Sequence, residues 1–320
     1  MRYLNEITLK RIGIAWSETI SVIEDATRCL SNHDYAQPIK PYLRYNTLTN
    51  RIIAMPAFVG GDVATAGIKW IASFPDNYKI GLPRAHCVVI TNDADTGKPM
   101  GIINASLISG IRTASVSGVF IKQFAAARSG TPLRVGIVGF GPIGQLHLEM
   151  CLQLLGDQLA EVTLYDTREI DPALLRGKNV RVADCWQDAY RDADIFMTCT
   201  VSKAAYIDLP PKPRSLHLNV SLRDYKPEAA AWFEGAIVVD NWEEVCREKT
   251  DIEFMHLEKG LAKEHTFSME EAVDTPLIQS LNDQQKAIMV NPMGMAVFDI
   301  AISKYYLDKA AQMNLGNLLD

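Results

Sequence analysis

This chain of 320 residues lacks the residue spacings that mark several common kinds of site. Its six cysteines, Cys29, Cys87, Cys151, Cys185, Cys199 and Cys246, form no Cys-x-x-Cys pair, which excludes a zinc knuckle and a dithiol redox site. Its six histidines show neither His-x-x-His nor His-Glu-x-x-His spacing, so no metal is expected. No uncharged apolar run reaches the roughly 20 residues needed to cross a bilayer. The first residues also lack the apolar core and cleavage site of a secretory signal. Positive charge is scarce: 32 Lys and Arg against 38 Asp and Glu give a net charge of −6. With no basic run interleaved with aromatics, neither nucleic acid nor a membrane is an expected partner. A chain this long buries its own core without staples, so the thiols are read as free, in a reducing cytoplasm.

What is present is an ordinary globular composition, 48% hydrophobic and 22% charged, at a length that suits two domains. Residues 18–33 place Ile20, Ile23, Ala26, Thr27 and Leu30 at helical spacing. From Arg51 to Ile90, short apolar runs broken by Gly, Pro and Asn read as strands, and the segment NDADTG (92–97) reads as a tight turn. A helix is expected from about Ser106 to Ala127. Ser129-Gly130-Thr131-Pro132 then marks a domain boundary. Beyond it, apolar strands alternate with helical spans, the pattern of a parallel sheet covered on both faces. The last segment, 294–311, is helical again and returns to the first domain. The expected fold class is α/β, with a Rossmann dinucleotide-binding domain over 129–300 and an α+β domain over 1–128 and 301–320.

Gly139, Gly141 and Gly144 form Gly-x-Gly-x-x-Gly between an apolar strand and a helix starting near Pro142. The first glycine permits the turn, the second admits a pyrophosphate, and the third lets helix and strand pack closely. Pro142 suits the first helical turn, where its missing N–H costs little. Asp166 ends the next apolar run, at the roughly 20-residue distance of an acid that binds the adenosine ribose. Its charge favours NAD over NADP. Arg168 keeps dual or NADP use open, and a flavin would occupy a similar fold.

Three further polar residues stand out. Lys69 interrupts the apolar run AGIKWI, either as a strand-edge lysine or as an ammonium aimed into a cleft. Arg112 lies among small side chains that cannot cover it, and it reads as a carboxylate grip or a salt-bridge partner. Asp240 ends the strand GAIVVD. In open parallel sheets ligands bind outside the carboxyl ends of strands, so it is a candidate general acid or base; the alternative is a helix cap. Arg44 and Arg51 flank a polar turn.

These features resemble the ornithine cyclodeaminase/mu-crystallin family over nearly the full length. The resemblance is carried by RIIAMPA (51–57), GIKWIASFPDN (67–77), NDADTGKP (92–99), SLISGIRTAS (106–115), VGIVGFGPIGQLH (135–147), CTVS (199–202), IVVDNWEEV (237–245) and NPMGMAVFDIA (291–301). It implies a substrate-binding and dimerisation domain joined to the Rossmann NAD domain, and a homodimer. It also implies that Arg44, Lys69 and Arg112 bind a substrate carboxylate, that Lys69 polarises the reacting centre, and that Asp240 is catalytic. Thr113, Gly141, Ile143, Asp166, Thr200, Ser221 and Gly294 fall on cofactor-contacting segments. Where many members read Lys-Ser-x-Gly before the final helix, this chain reads Asn291-Pro292-Met293-Gly294. Within the family, the strings QPIKPYLRYN (37–46) and NWEEVCREKTDI (241–252) are most similar to the diaminopropionate-forming branch, which serves siderophore and peptide-antibiotic synthesis. That implies NAD-dependent oxidative cleavage of N-(1-amino-1-carboxy-2-ethyl)-glutamate to 2,3-diaminopropionate and 2-oxoglutarate. A pyridoxal-phosphate-dependent synthase would supply this substrate. Ornithine cyclodeamination, ketimine reduction, alanine dehydrogenation and a non-catalytic, NAD-binding crystallin role are the alternatives.

Overall fold

Buried and less buried side chains alternate along residues 51–59 and again along 85–93, as expected of strands with one covered face. The computed structural model describes residues 1–320. Its contacts divide the chain into two units, residues 1–112 with 295–320, and residues 113–294.

The first unit opens with β1 (Arg2–Leu4), α1 (Glu6–Ile12) and α2 (Trp16–Ser31). Asn5 caps α1 by accepting from the Thr8 amide, and α2 buries Ile20, Ile23, Ala26 and Leu30. Two short strands, β2 (Tyr35–Ala36) and β3 (Tyr42–Leu43), precede the long β4 (Arg51–Val59), β5 (Thr65–Ser73) and β6 (Ala85–Asp93). β7 (Pro99–Asn104) then leads into α3 (Ser106–Ala127). The turn between β6 and β7 closes as the sequence implies, with the Asp93 carboxylate accepting from the Thr96 amide and Gly97 at φ +71°.

The second unit contains β8 (Leu133–Val138), α4 (Pro142–Leu155), β9 (Leu159–Tyr165), β10 (Val180–Val182), α5 (Trp186–Tyr190), β11 (Ile195–Thr198), β12 (Leu216–Leu218) and β13 (Ile237–Val239). It continues through α6 (Trp242–Val245), α7 (Asp251–Lys259), β14 (Thr266–Ser268), α8 (Met269–Asp274), α9 (Leu277–Asp283) and β15 (Ile288–Asn291). Its eight strands are all parallel, in the order β10-β9-β8-β11-β12-β15-β13-β14. The order reverses between β8 and β11, the place where such sheets hold nucleotides.

The chain then rejoins the first unit through α10 (Ala296–Gln312) and β16 (Asn317–Leu318). That unit's sheet runs β16-β1-β7-β6-β5-β4-β2, with β3 also on β4; only β1 and β7 pair in parallel. α10 covers one face of β4, β5 and β6.

The division between the units falls inside α3, at Arg112/Thr113, rather than in the Ser129–Pro132 turn. The cause is local: the rest of α3 is tied to the second unit. Ser117 Oγ meets His147 Nε2 at 2.8 Å, and Gln158 Nε2 donates to the Ala125 and Arg128 carbonyls. At the other end the second unit stops at Gly294 rather than residue 300, because the whole of α10 belongs to the first. The Gln37 side chain accepts from the Val297 amide and so caps that helix. All six cysteines are free, and no helix is long and apolar enough to cross a membrane.

Candidate active site

In the second unit, parallel pairing brings the carboxyl ends of β8, β9, β11, β12, β13 and β15 to one edge of the sheet. The glycine loop, Asp166, Thr200, Ser221, Asp240 and Gly294 each follow one of these strands. Gly139 has φ +90°, and a Cβ there would lie 2.5 Å from the Cys199 carbonyl oxygen. A Cβ on Gly144 would lie 2.2 Å from the Gly139 oxygen. Gly141 is different: its nearest neighbour is Arg168 Nη2 at 4.0 Å, so the space above it is open. Pro142 is the first residue of α4, and no side chain caps that helix. Open amides with space above them fit a pyrophosphate.

Asp166 borders the same loop, accepting from the Phe140 amide at 2.7 Å and the Arg168 amide at 2.9 Å. Burial works against its ionisation, but the hydrogen bonds and charge of Arg168 with the Phe140 amide more than offset this and hold its carboxyl below the ordinary range. The site therefore suits a dinucleotide whose ribose hydroxyls meet an anion. Ile143 uses its carbonyl to hold the His147 ring at 2.8 Å, beneath the first turn of α4.

Thr200 and Ser221 both donate to the buried Asp224, which fixes two strand ends at once. Nothing in the motif spacing pointed to Asp224. Asp240 is buried; its Oδ2 accepts from the Gly294 amide at 2.7 Å and its Oδ1 from the Asn241 amide at 2.9 Å. It is not the cap of α6, because Asn241 performs that task by accepting from the Glu244 amide. Glu270, on α8, is another carboxyl that sequence reading missed. Burial raises its pKa, and the Asp240 charge adds to the effect. Thr113 follows Arg112 on α3 and is half-buried.

In the first unit, Lys69 sits on β5, an interior strand between β4 and β6, which removes the strand-edge reading. It is 2% exposed. Its Nζ donates to Ser109 Oγ at 2.7 Å and to Asp299 Oδ1 at 2.8 Å. Arg112 is 7% exposed and donates through Nε to the same Asp299 oxygen at 3.1 Å. Burial would raise the Asp299 carboxyl, yet Arg112 and Lys69 together hold it below its usual range. Asp299 lies in the string NPMGMAVFDIA, where a lone acid on an apolar helix gives no sign of what it faces. Arg44 directly follows β3. It is exposed, its guanidinium lies 5.3 Å from the centre of the Tyr42 ring, and Arg51 approaches the same ring at 5.3 Å.

A family model for ornithine cyclodeaminases and mu-crystallins matches residues 8–210. The chain belongs to the ornithine cyclodeaminase/mu-crystallin family. One relative in sequence is the N-((2S)-2-amino-2-carboxyethyl)-L-glutamate dehydrogenase of Staphylococcus aureus (strain NCTC 8325 / PS 47). It is 32% identical, with 100% of this chain and 98% of the relative covered. Among solved structures, the Delta(1)-pyrroline-2-carboxylate reductase of Thermococcus litoralis, in complex with NADH and L-proline, is similar with a TM-score of 0.84. That likeness has 21% identity and covers 100% of both chains. An archaeal alanine dehydrogenase dimer with bound NAD is similar at TM-score 0.82 and 22% identity, over 100% of this chain and 99% of the other. These two likenesses show the fold. In this member of the ornithine cyclodeaminase/mu-crystallin family, the departure at Asn291 is structural. Asn291 is fully buried, accepts from Asn219 Nδ2 at 2.8 Å and donates to the Val238 carbonyl, so it ties neighbouring strands together.

Proposed function

We propose that this chain is an NAD-dependent dehydrogenase acting on a secondary amine. Its substrate in this reading is N-(1-amino-1-carboxy-2-ethyl)-glutamate, and its products are 2,3-diaminopropionate and 2-oxoglutarate. The observation that carries the reading is the end-to-end similarity to the S. aureus dehydrogenase. The buried Lys69–Asp299–Arg112 cluster suits the carboxylates of such a substrate. When bound, NAD⁺ supplies a hydride acceptor.

Gly141, Ile143 and Gly144 would hold the pyrophosphate through open amides at the start of α4, with Gly139 and Pro142 shaping the turn and the first helical residue, and Asp166 would hold the ribose. Thr113, Thr200, Ser221 and Gly294 complete the proposed contacts. Arg112 grips a carboxylate through its guanidinium, with Arg44 proposed for a more exposed carboxylate of the same substrate. Lys69 stabilises the negative charge that develops on oxygen as water adds to the imine and the carbinolamine collapses. Asp240 accepts a proton from the water that attacks the imine carbon and returns one to the departing amine, so its own charge is restored at each turnover. Breaking that carbon–nitrogen bond releases 2-oxoglutarate and the primary amine. A pyridoxal-phosphate-dependent synthase is the proposed source of the substrate.

A homodimer belongs to the same reading. Ile68, Trp70, Val88, Ile90, Met100 and Ile102 line the face of β5, β6 and β7 opposite Lys69, and four of them are at least 36% exposed. A second copy of the chain is the proposed cover, and sedimentation of the purified protein measures it.

The decisive assay mixes the protein with NAD⁺ and each candidate amino acid. NADH and 2-oxoglutarate formed in equal amounts from the glutamate conjugate are the expected outcome. Proline and ammonia from ornithine, with no net NADH, would replace this reading by cyclodeamination. NAD binding without turnover on any amine or imine would leave a crystallin-like binding protein.

A further inference from the structure

Asp299 stands in the first turn of α10 and is fully buried. One of its carboxylate oxygens meets both Lys69 and Arg112, while its Oδ2 has no hydrogen-bond partner. Arg112 meets Asp299 through Nε, which leaves the two terminal amino groups of its guanidinium outside that contact. Two cations and one carboxylate leave one positive charge in a place nearly closed to water. A buried excess charge is costly until a counter-charge arrives.

We propose that Asp299 is a positioning residue for the substrate anchor. One carboxylate oxygen fixes the Lys69 ammonium and the Arg112 side chain and trims their combined charge from two to one, matching the anchor to a single carboxylate. The inference rests on the dehydrogenase reading for the identity of the substrate and on this geometry for everything else. The groups that face Lys69 are few: Asp299 from α10, Arg112 and the Ser109 hydroxyl from α3, and the Cys87 thiol from β6. Burial pushes the Cys87 thiol up to about 11, so it is neutral near pH 7 and cannot replace the carboxylate. β4 presents Met55 opposite Lys69, which is apolar. Without the Asp299 charge, two buried cations face each other, and the pair is relieved when the lysine releases its proton to water.

Asp299→Asn tests this, because it keeps the shape and removes the charge. The readouts are the pH profile of kcat/KM for the amine, calorimetric binding of 2-oxoglutarate across the same pH range, and NAD affinity as a control for folding. The alkaline limb of both profiles is expected to move about one unit toward neutral pH, while NAD affinity stays within about twofold. Asp299→Glu keeps the charge on a longer arm. It is expected to retain the alkaline limb of the wild type and to raise KM with a smaller change in kcat. Coincident alkaline limbs for wild type and Asp299→Asn overturn the proposal. If Asp299→Asn does not fold, a Glu variant with the KM of the wild type overturns it instead. A wild type that binds 2-oxoglutarate but oxidises no amine sinks the dehydrogenase reading and leaves the binding arm to decide this one.

Discussion

Asp240 carries the sharpest expectation at the scale of a single residue. Its two oxygens accept from the Gly294 and Asn241 amides, and an amide side chain can keep only one of those acceptors. Asp240→Asn therefore sets an amide nitrogen against the other N–H, so it is expected to fold with a lower melting temperature while kcat falls by a factor of roughly 10²–10⁴, the scale of general acid–base catalysis. Measuring kcat at saturating substrate, with NAD affinity titrated separately, checks it. Retention of more than about half of kcat would remove Asp240 from proton transfer, since even a weak acid–base role is worth more than that. Sequence could place Asp240, Lys69 and Arg112 because each breaks a local pattern: a charge at a strand end, in an apolar run, among small side chains. It could not find Asp224 or Asp299. Their partners lie far along the chain, and a carboxylate reads the same whether it faces water or a buried cation.

Among the elements, the loop between β8 and α4 separates two roles that its glycines share in sequence. Gly144→Ala puts a methyl group 2.2 Å from a backbone oxygen, so the loop has to shift. The expected cost is about 1–3 kcal/mol of stability, typical of overpacking. Gly141→Ala meets nothing nearer than an arginine tip, and its φ of −71° is open to any residue. It is expected to melt like the wild type and yet to bind NAD about tenfold or more weakly, since the methyl takes the space of the pyrophosphate. Thermal melts and NAD titrations of the two variants check this contrast; equal NAD affinity in Gly141→Ala and the wild type would disprove the cradle. The strands and helices themselves were well foreshadowed. α2, α3 and α10 follow helical spacing, and the strands of the parallel sheet are short apolar runs. The division inside α3 was not, because a helix continues past Arg112 with no change in its pattern. Only the bonds of Ser117 and Ala125 to distant residues reveal it.

At the scale of the whole molecule, the apolar outer face of β5, β6 and β7 gives a test of assembly. Val88 is 40% exposed at its centre, paired across the ladder with Trp70 and Asn104. Val88→Lys keeps the ladder and is tolerated on a solvated face, but it would place an unpaired charge inside the proposed dimer interface. The expected outcome is a shift from dimer to monomer in sedimentation, with the melting temperature read alongside. A wild type that is monomeric at all concentrations contradicts the dimer.

The first unit is built from two separate stretches of chain, and this has a consequence for synthesis. On the ribosome, β4, β5 and β6 emerge long before α10, which covers them. Until then the strands that carry Met55 and Val89 lack that helix, and Lys69 and Arg112 have no Asp299 between them. The second unit, by contrast, is continuous and can close before α10 has emerged. A nascent chain stalled before residue 295 should thus carry a finished nucleotide fold and an unfinished sheet, which makes the early half of the molecule the part that depends on chaperones.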